Sequence, residues 1–185
     1  ADLEAAMAAA VPAEEAGDAS GPREGGPLRL AIVGRPNVGK STLVNRLVGE
    51  DRLLTGPEPG LTRDAIAVEW TFKGRTIQLV DTAGLRRRAR VQGKLEKLSA
   101  ADSLRSLEFA EAVAVVIDAT EGLERQDLAI AGTAAEEGRA LVIVANKWDL
   151  VTNPGEQEQR IRDRLAISLP QVKGVALVRL SALTG

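Results

Sequence analysis

The chain has 185 residues, is 44% hydrophobic and 27% charged, and carries a formal net charge of −2 with neither cysteine nor histidine. That length and apolar content suit one domain with a buried core plus a tail. Disulfide stapling, thiol nucleophiles and imidazole acid–base catalysis are excluded, which leaves lysine, carboxylates, hydroxyls, backbone dipoles and bound ions, a set suited to phosphoryl transfer.

Residues 1–27 are rich in Ala, Glu, Gly and Pro and set six acids against Arg23, a balance of −5 that leaves the remainder at +3. Such a segment buries too little apolar surface to offset its ordering entropy and reads as an acidic flexible linker, with the folded domain expected over 28–185. No apolar run is long enough to span a bilayer, and the Ala-rich start lacks the basic n-region of a secretory signal. No membrane partner is therefore expected, the cytoplasm is the default location, and a monomer is expected. Because the first residue is not Met, the chain is expected to be a piece of something longer. Its end at Gly185, after a predicted strand and a short loop, leads to the expectation that the domain is truncated before a last helix.

Beyond the linker, apolar runs predict strands over Leu28 to Val33, Ala65 to Phe72, Thr76 to Val80, Ala112 to Ile117, Ala140 to Ala145 and Val175 to Leu180, with helices between most of them. Lys73-Gly74-Arg75 is too short for a crossover helix, so the second and third strands should form an antiparallel hairpin while the others run parallel. The pattern predicts a three-layer α/β fold, a six-stranded mostly parallel sheet with one antiparallel strand, whose ligands sit at the carboxyl ends of the strands.

The motifs fall at those ends. Gly34-Arg35-Pro36-Asn37-Val38-Gly39-Lys40-Ser41 fits the G-x-x-x-x-G-K-[ST] phosphate loop between a predicted strand and a predicted helix, and Thr42 continues into that helix. Gly34 and Gly39 allow the tight turn that points successive amides and the positive helix end at one anion. Lys40 supplies a cation for the outer phosphates, and the Ser41 hydroxyl a ligand for Mg²⁺. Asp81-Thr82-Ala83-Gly84 follows the third strand; by itself it is a common turn, but in this place Asp81 can hold Mg²⁺ through a water and the Gly84 amide can meet a γ-phosphate. Between the two loops, Thr62 is the candidate to reach Mg²⁺ when a third phosphate is present.

Asn146-Lys147-Trp148-Asp149 follows the fifth predicted strand. A carboxylate at Asp149 can accept two hydrogen bonds from guanine N1 and N2, which adenine cannot offer, and a site built on such bonds rejects the wrong base by about 10⁴-fold. Asn146 would tie this loop to the phosphate loop, and the Lys147 stem would lie on the purine face. Ser181-Ala182-Leu183 ends the sixth strand and would offer the Ala182 amide to guanine O6. The ligands implied are GTP and GDP.

In this order the motifs resemble those of the translation-factor GTPases. The stretches GRPNVGKSTLVNRL, LTRD, DTAGLRRRARVQGKLEKLS, VIDATEGLERQDLAIAG and ALVIVANKWDL more closely resemble the second G domain of the Der (EngA) family, over nearly everything after residue 27. The resemblance implies a ribosome-assembly GTPase acting on the large subunit and its rRNA. It also implies that residues 1–27 link to an earlier G domain and that a KH-like domain follows, both absent here. Leu85 stands where Ras-like enzymes place a water-orienting Gln, so unaided hydrolysis should be slow, and related GTPases with that replacement recruit K⁺ through an Asn at the position of Asn37. Lys40, Thr62, Gly84 and Asn37 are then the residues on which hydrolysis depends.

Arg86, Arg87, Arg88, Arg90, Lys94 and Lys97 form either a solvated basic loop or a nucleotide-dependent surface for rRNA phosphates. With two Trp, two Phe and no Tyr, base stacking carries little of any RNA contact. Two other readings stay open: a nucleotide-sensing module with negligible hydrolysis, for which Leu85 speaks, and the G domain of a related tRNA-modifying or ribosome-associated GTPase. A P-loop kinase or ATPase is disfavoured by Asn146 to Asp149.

Overall fold

Six apolar runs pair into one sheet, seen in a computed structural model that describes residues 26–48, 68–72, 74–80, 107–172 and 174–184. The strands are β1 (Leu28–Val33), β2 (Val68–Phe72), β3 (Arg75–Leu79), β4 (Ala112–Asp118), β5 (Ala140–Asn146) and β6 (Ala176–Arg179). The helices are α1 (Lys40–Val48), α2 (Arg125–Glu136) and α3 (Pro154–Ser168), with a 3₁₀ turn at Trp148–Leu150. Strand order is β2-β3-β1-β4-β5-β6. Among the described residues, only the β2–β3 pairing is antiparallel, as the short connection at Gly74 requires.

Alternation along each strand divides the core in two. Leu30, Ile32, Ala114, Val116, Val142 and Val144 face Leu43 and Val44 of α1. Ala31, Val33, Val115, Ile117, Ile143 and Ala145 belong to the opposite cluster, which includes Ile130 and Ala134 of α2 and Ile161 and Leu165 of α3. A parallel strand covered on both faces reads as a continuous apolar run, and every residue of β4 is buried.

Strand limits differ from hydropathy where polar residues serve the ladder. β3 begins one residue early because Arg75 pairs with Phe72 across the turn, where Gly74 takes a left-handed φ of 82°. Across the same hairpin the Gln78 amide donates to Glu69 at 2.8 Å. β4 and β5 each run one residue beyond their apolar stretch, so that Asp118 and Asn146 become the last paired residues. Polarity hid them from a hydropathy reading, yet their pairing places them side by side at the carboxyl ends of adjacent strands. Residues 65–67 of the expected second strand lie outside the described residues.

The Ile143 side chain is fully buried at the centre of β5. Ile143→Ala is expected to lower the unfolding free energy by about 2–5 kcal/mol in urea titration; a loss under ~1 kcal/mol would show that this face of the sheet repacks freely.

Candidate functional site

The phosphate loop is laid against its neighbours without slack. Gly34 and Gly39 take φ of 143° and 96°, and a Cβ would stand 2.2 Å from the Val116 carbonyl oxygen at the first and 2.2 Å from Asn146 Nδ2 at the second. Both glycines are thus demanded twice, by conformation and by contact. Val38 is buried while Pro36 and Asn37 are exposed, and Asn37 holds a left-handed φ of 64°, a region Asn enters more readily than most residues. Lys40 opens α1 and is buried; its Nζ donates to the Gly34 carbonyl at 2.8 Å and to that of Arg35. A buried ammonium carried on carbonyls at a helix N-terminus favours an anion beside it. Ser41 and Thr42 follow in the first turn of α1.

Asn146 joins this loop to the other end of the site. Its buried carboxamide donates from Nδ2 to the Val38 carbonyl at 2.7 Å and accepts at Oδ1 from the Ala182 amide at 2.8 Å. The phosphate loop, the end of β5 and the turn after β6 therefore meet on one side chain. The Ala182 amide, read from sequence as the donor to guanine O6, is engaged by Asn146 here. Ser181 and Ala182 are buried, Leu183 is exposed, and the turn closes with the Thr184 amide on Ser181 Oγ at 3.1 Å.

After Asn146 the chain turns sharply. Lys147 has a left-handed φ of 60°, and its ammonium lies 2.5 Å from Asp118 Oδ2. The other Asp118 oxygen accepts from the Thr120 amide at 3.0 Å and the Thr120 hydroxyl at 2.7 Å. Burial pushes the Asp118 carboxyl up, but the hydrogen bonds from Lys147 and Thr120 outweigh it and hold the group below the ordinary carboxylate value. The Trp148 amide donates to the Leu180 carbonyl at 3.1 Å, and the Arg179 guanidinium stands 5.9 Å from the Trp148 ring centroid. Asp149 is exposed.

A second ion pair braces the phosphate loop. Arg35 Nε lies 3.1 and 3.0 Å from the two oxygens of Asp127, a fully buried residue of α2, and its Nη2 lies 2.8 Å from Glu121. Burial works against the Arg35 charge, yet the bond to Glu121 and the field of Asp127 prevail and raise its pKa. Burial pushes the Asp127 carboxyl up against the Glu124 amide, which donates to it at 3.0 Å, and against Arg35. Sequence reasoning placed Arg35 in the loop but gave no partner, and it passed over Asp127 and Asp118. Their only sequence signal is their presence in the family-like segment Val116 to Gly132. Thr62, Asp81, Thr82, Ala83, Gly84, Leu85 and the basic run from Arg86 to Lys97 lie outside the described residues.

Comparison with known proteins agrees with the fold. The sequence profile of the family described as 50S ribosome-binding GTPase matches residues 29–147. The chain is 61% identical over 159 residues to GTPase Der of Parvibaculum lavamentivorans, covering 86% of the chain and 34% of that protein. It is 57% identical over 159 residues to GTPase Der of Agrobacterium fabrum, covering 86% of the chain and 33% of the relative. It thus spans about a third of the length of these relatives. Among solved structures, Era in complex with MgGDPNP and nucleotides 1506–1542 of 16S ribosomal RNA matches with a TM-score of 0.58 at 28% identity, over 85% of this chain and 51% of Era.

Because the Asp118 carboxyl is held below its ordinary value, the unfolded chain binds the proton more tightly. The stability it contributes is complete above the ordinary carboxylate pKa and is lost as pH falls through the lower folded value. Unfolding free energies measured from pH 6 down to the acid limit of folding should fall less steeply for Asp118→Asn than for the parent. Parallel curves would remove Asp118 from the acid response.

Proposed function

Because the chain belongs to the 50S ribosome-binding GTPase family, we propose that it binds GTP and GDP across the carboxyl ends of β1, β4, β5 and β6. In this reading it hydrolyses GTP to GDP and phosphate as a timed switch in assembly of the large ribosomal subunit. The observation that carries the reading is the Asn146 bridge, which holds a phosphate loop and a base-side turn at a fixed separation. In that frame the loop amides, Lys40 and the α1 N-terminus hold the phosphates, while Asp149 takes guanine N1 and N2 and the Lys147 stem covers the purine face. Asp118 fixes the Lys147 ammonium and so sets where that stem lies.

The Ser41 hydroxyl stands next to Lys40 at the start of α1, and a hydroxyl with a water-bridged carboxylate, beside phosphate oxygens, is a donor set Mg²⁺ favours. Ser41, Thr62 and Asp81 would hold it, and when bound it neutralises charge on the phosphates. The exposed Asn37, in its left-handed turn, offers a carboxamide oxygen beside the same loop and is the proposed protein ligand of K⁺, a second source of positive charge. The Gly84 amide senses the third phosphate, and Leu85, having no hydrogen-bonding group, leaves water without a side-chain guide, so hydrolysis is slow unless K⁺ or the ribosome speeds it.

The relative captured with MgGDPNP and ribosomal RNA supports a guanine nucleotide, Mg²⁺ and an rRNA partner. The partner surface in this reading is the basic run Arg86 to Lys97, and residues 1–27 connect the domain to an earlier one in the same monomeric, cytoplasmic protein. Among the described residues, no helix is long and apolar enough to cross a membrane.

Asp149→Asn is expected to move preference from guanine toward xanthine nucleotides in competition binding; unchanged GTP affinity would end the base assignment. In single-turnover assays, the parent should cleave GTP faster in K⁺ than in Na⁺, and Asn37→Ala should bring that ratio close to one. A variant ratio equal to the parent's would remove Asn37 from K⁺ binding, and cleavage at the metal-free background in both salts would favour a sensing module over an enzyme.

A further inference from the structure

The turn after β6 is held by Asn146, through the Ala182 amide, and by a second side chain. The second is Arg46, on the last turn of α1. Its Nη1 donates to the Leu183 carbonyl at 2.7 Å and more weakly to that of Ala182 at 3.4 Å, and its Nη2 donates to the Thr184 carbonyl at 3.1 Å. Three successive carbonyls thus converge on one planar guanidinium, a geometry that Arg can satisfy and the point charge of Lys cannot.

Peptide geometry converts this grip into an orientation. The described residues contain no cis peptide, and in a trans unit the C=O of one residue points opposite to the N–H of the next. Drawing the Ala182 carbonyl toward Arg46 therefore turns the Leu183 N–H away from it. The Ala182 amide is taken by Asn146 Oδ1 at 2.8 Å, and the Thr184 amide by Ser181 Oγ at 3.1 Å. Lys40 and Arg46 lie six residues apart on α1, about 9 Å along the helix, so the helix that begins at the phosphates ends at this turn.

We propose that Arg46 is a positioning residue for base recognition, holding the 181–184 turn so that the Leu183 amide faces the oxygen at position 6 of a guanine. The inference rests on the guanine-nucleotide reading above. Arg46 touches no ligand; it sets the angle of the donor that does.

The test uses a diphosphate whose base lacks that oxygen. In the full chain, dissociation constants for GDP and for 6-thioguanosine diphosphate, which keeps N1–H and the 2-amino group but carries sulfur, a weak acceptor, in place of that oxygen, are measured for the parent, Arg46→Ala and Arg46→Lys. The parent should prefer GDP. Arg46→Ala should weaken GDP by about tenfold while leaving the analogue unchanged, and Arg46→Lys should fall between parent and Ala for GDP alone. Equal weakening of both ligands by Arg46→Ala, or no weakening of GDP, overturns the proposal. A parent that binds both ligands equally overturns the O6 contact itself, and the proposal with it.

Discussion

The geometry of the candidate site depends on one buried carboxamide. Asn146 is 2% exposed, and each end of its side chain meets a backbone group of a different segment. An aspartate there could not donate to the Val38 carbonyl, and an apolar residue would leave that carbonyl and the Ala182 amide both unpaired, at about 1–3 kcal/mol each. The same side chain explains its neighbour. Gly39 lacks a Cβ because Asn146 Nδ2 occupies the space one would take. Gly39 and Asn146, 107 positions apart in two separate motifs, are therefore the two sides of a single contact.

Charge is arranged around this hinge in braces that share one origin, the connection from β4 into α2. Asp118 at its start holds Lys147 just after β5, and Glu121 and Asp127 farther along hold Arg35 of the Gly34–Ser41 loop. Midway, the Ala119 carbonyl accepts from Gln157 of α3 at 2.6 Å. Asp127 serves twice, since it also takes the Glu124 amide in a reciprocal cap at the start of α2. A helix terminus and a ligand loop are thus stabilised by the same carboxylate.

Much of the fold was legible from the chain because it rests on period-two alternation and on connection length. The continuous apolar run of β4 and the short connection between β2 and β3 predicted a buried parallel centre and an antiparallel edge, and the sheet has both. The loops were legible for another reason: glycines, the Lys–Ser pair and the Asn–Lys–x–Asp run are residue types with few structural alternatives at strand ends. What hydropathy and spacing could not show were contacts across the fold. Arg35 with Asp127, Lys147 with Asp118 and Arg46 with three carbonyls join positions 92, 29 and up to 138 apart, and no local pattern records which distant acid or carbonyl a given cation will meet. The Ala182 amide shows the same limit: its place at a strand end was readable, its bond to Asn146 was not.

The four variable letters inside G-x-x-x-x-G-K-S can now be ranked by how much freedom each retains. Arg35 is committed to two acids, Asn37 to a left-handed backbone, and Val38 to the core through its side chain and to Asn146 through its carbonyl. Pro36 is exposed and bears no such contact among the described residues. A consensus that treats these positions as interchangeable discards information the fold uses. In a randomised library of this loop, Arg35 would vary only in step with Asp127 and Glu121, Val38 only among apolar residues, and Pro36 on its own.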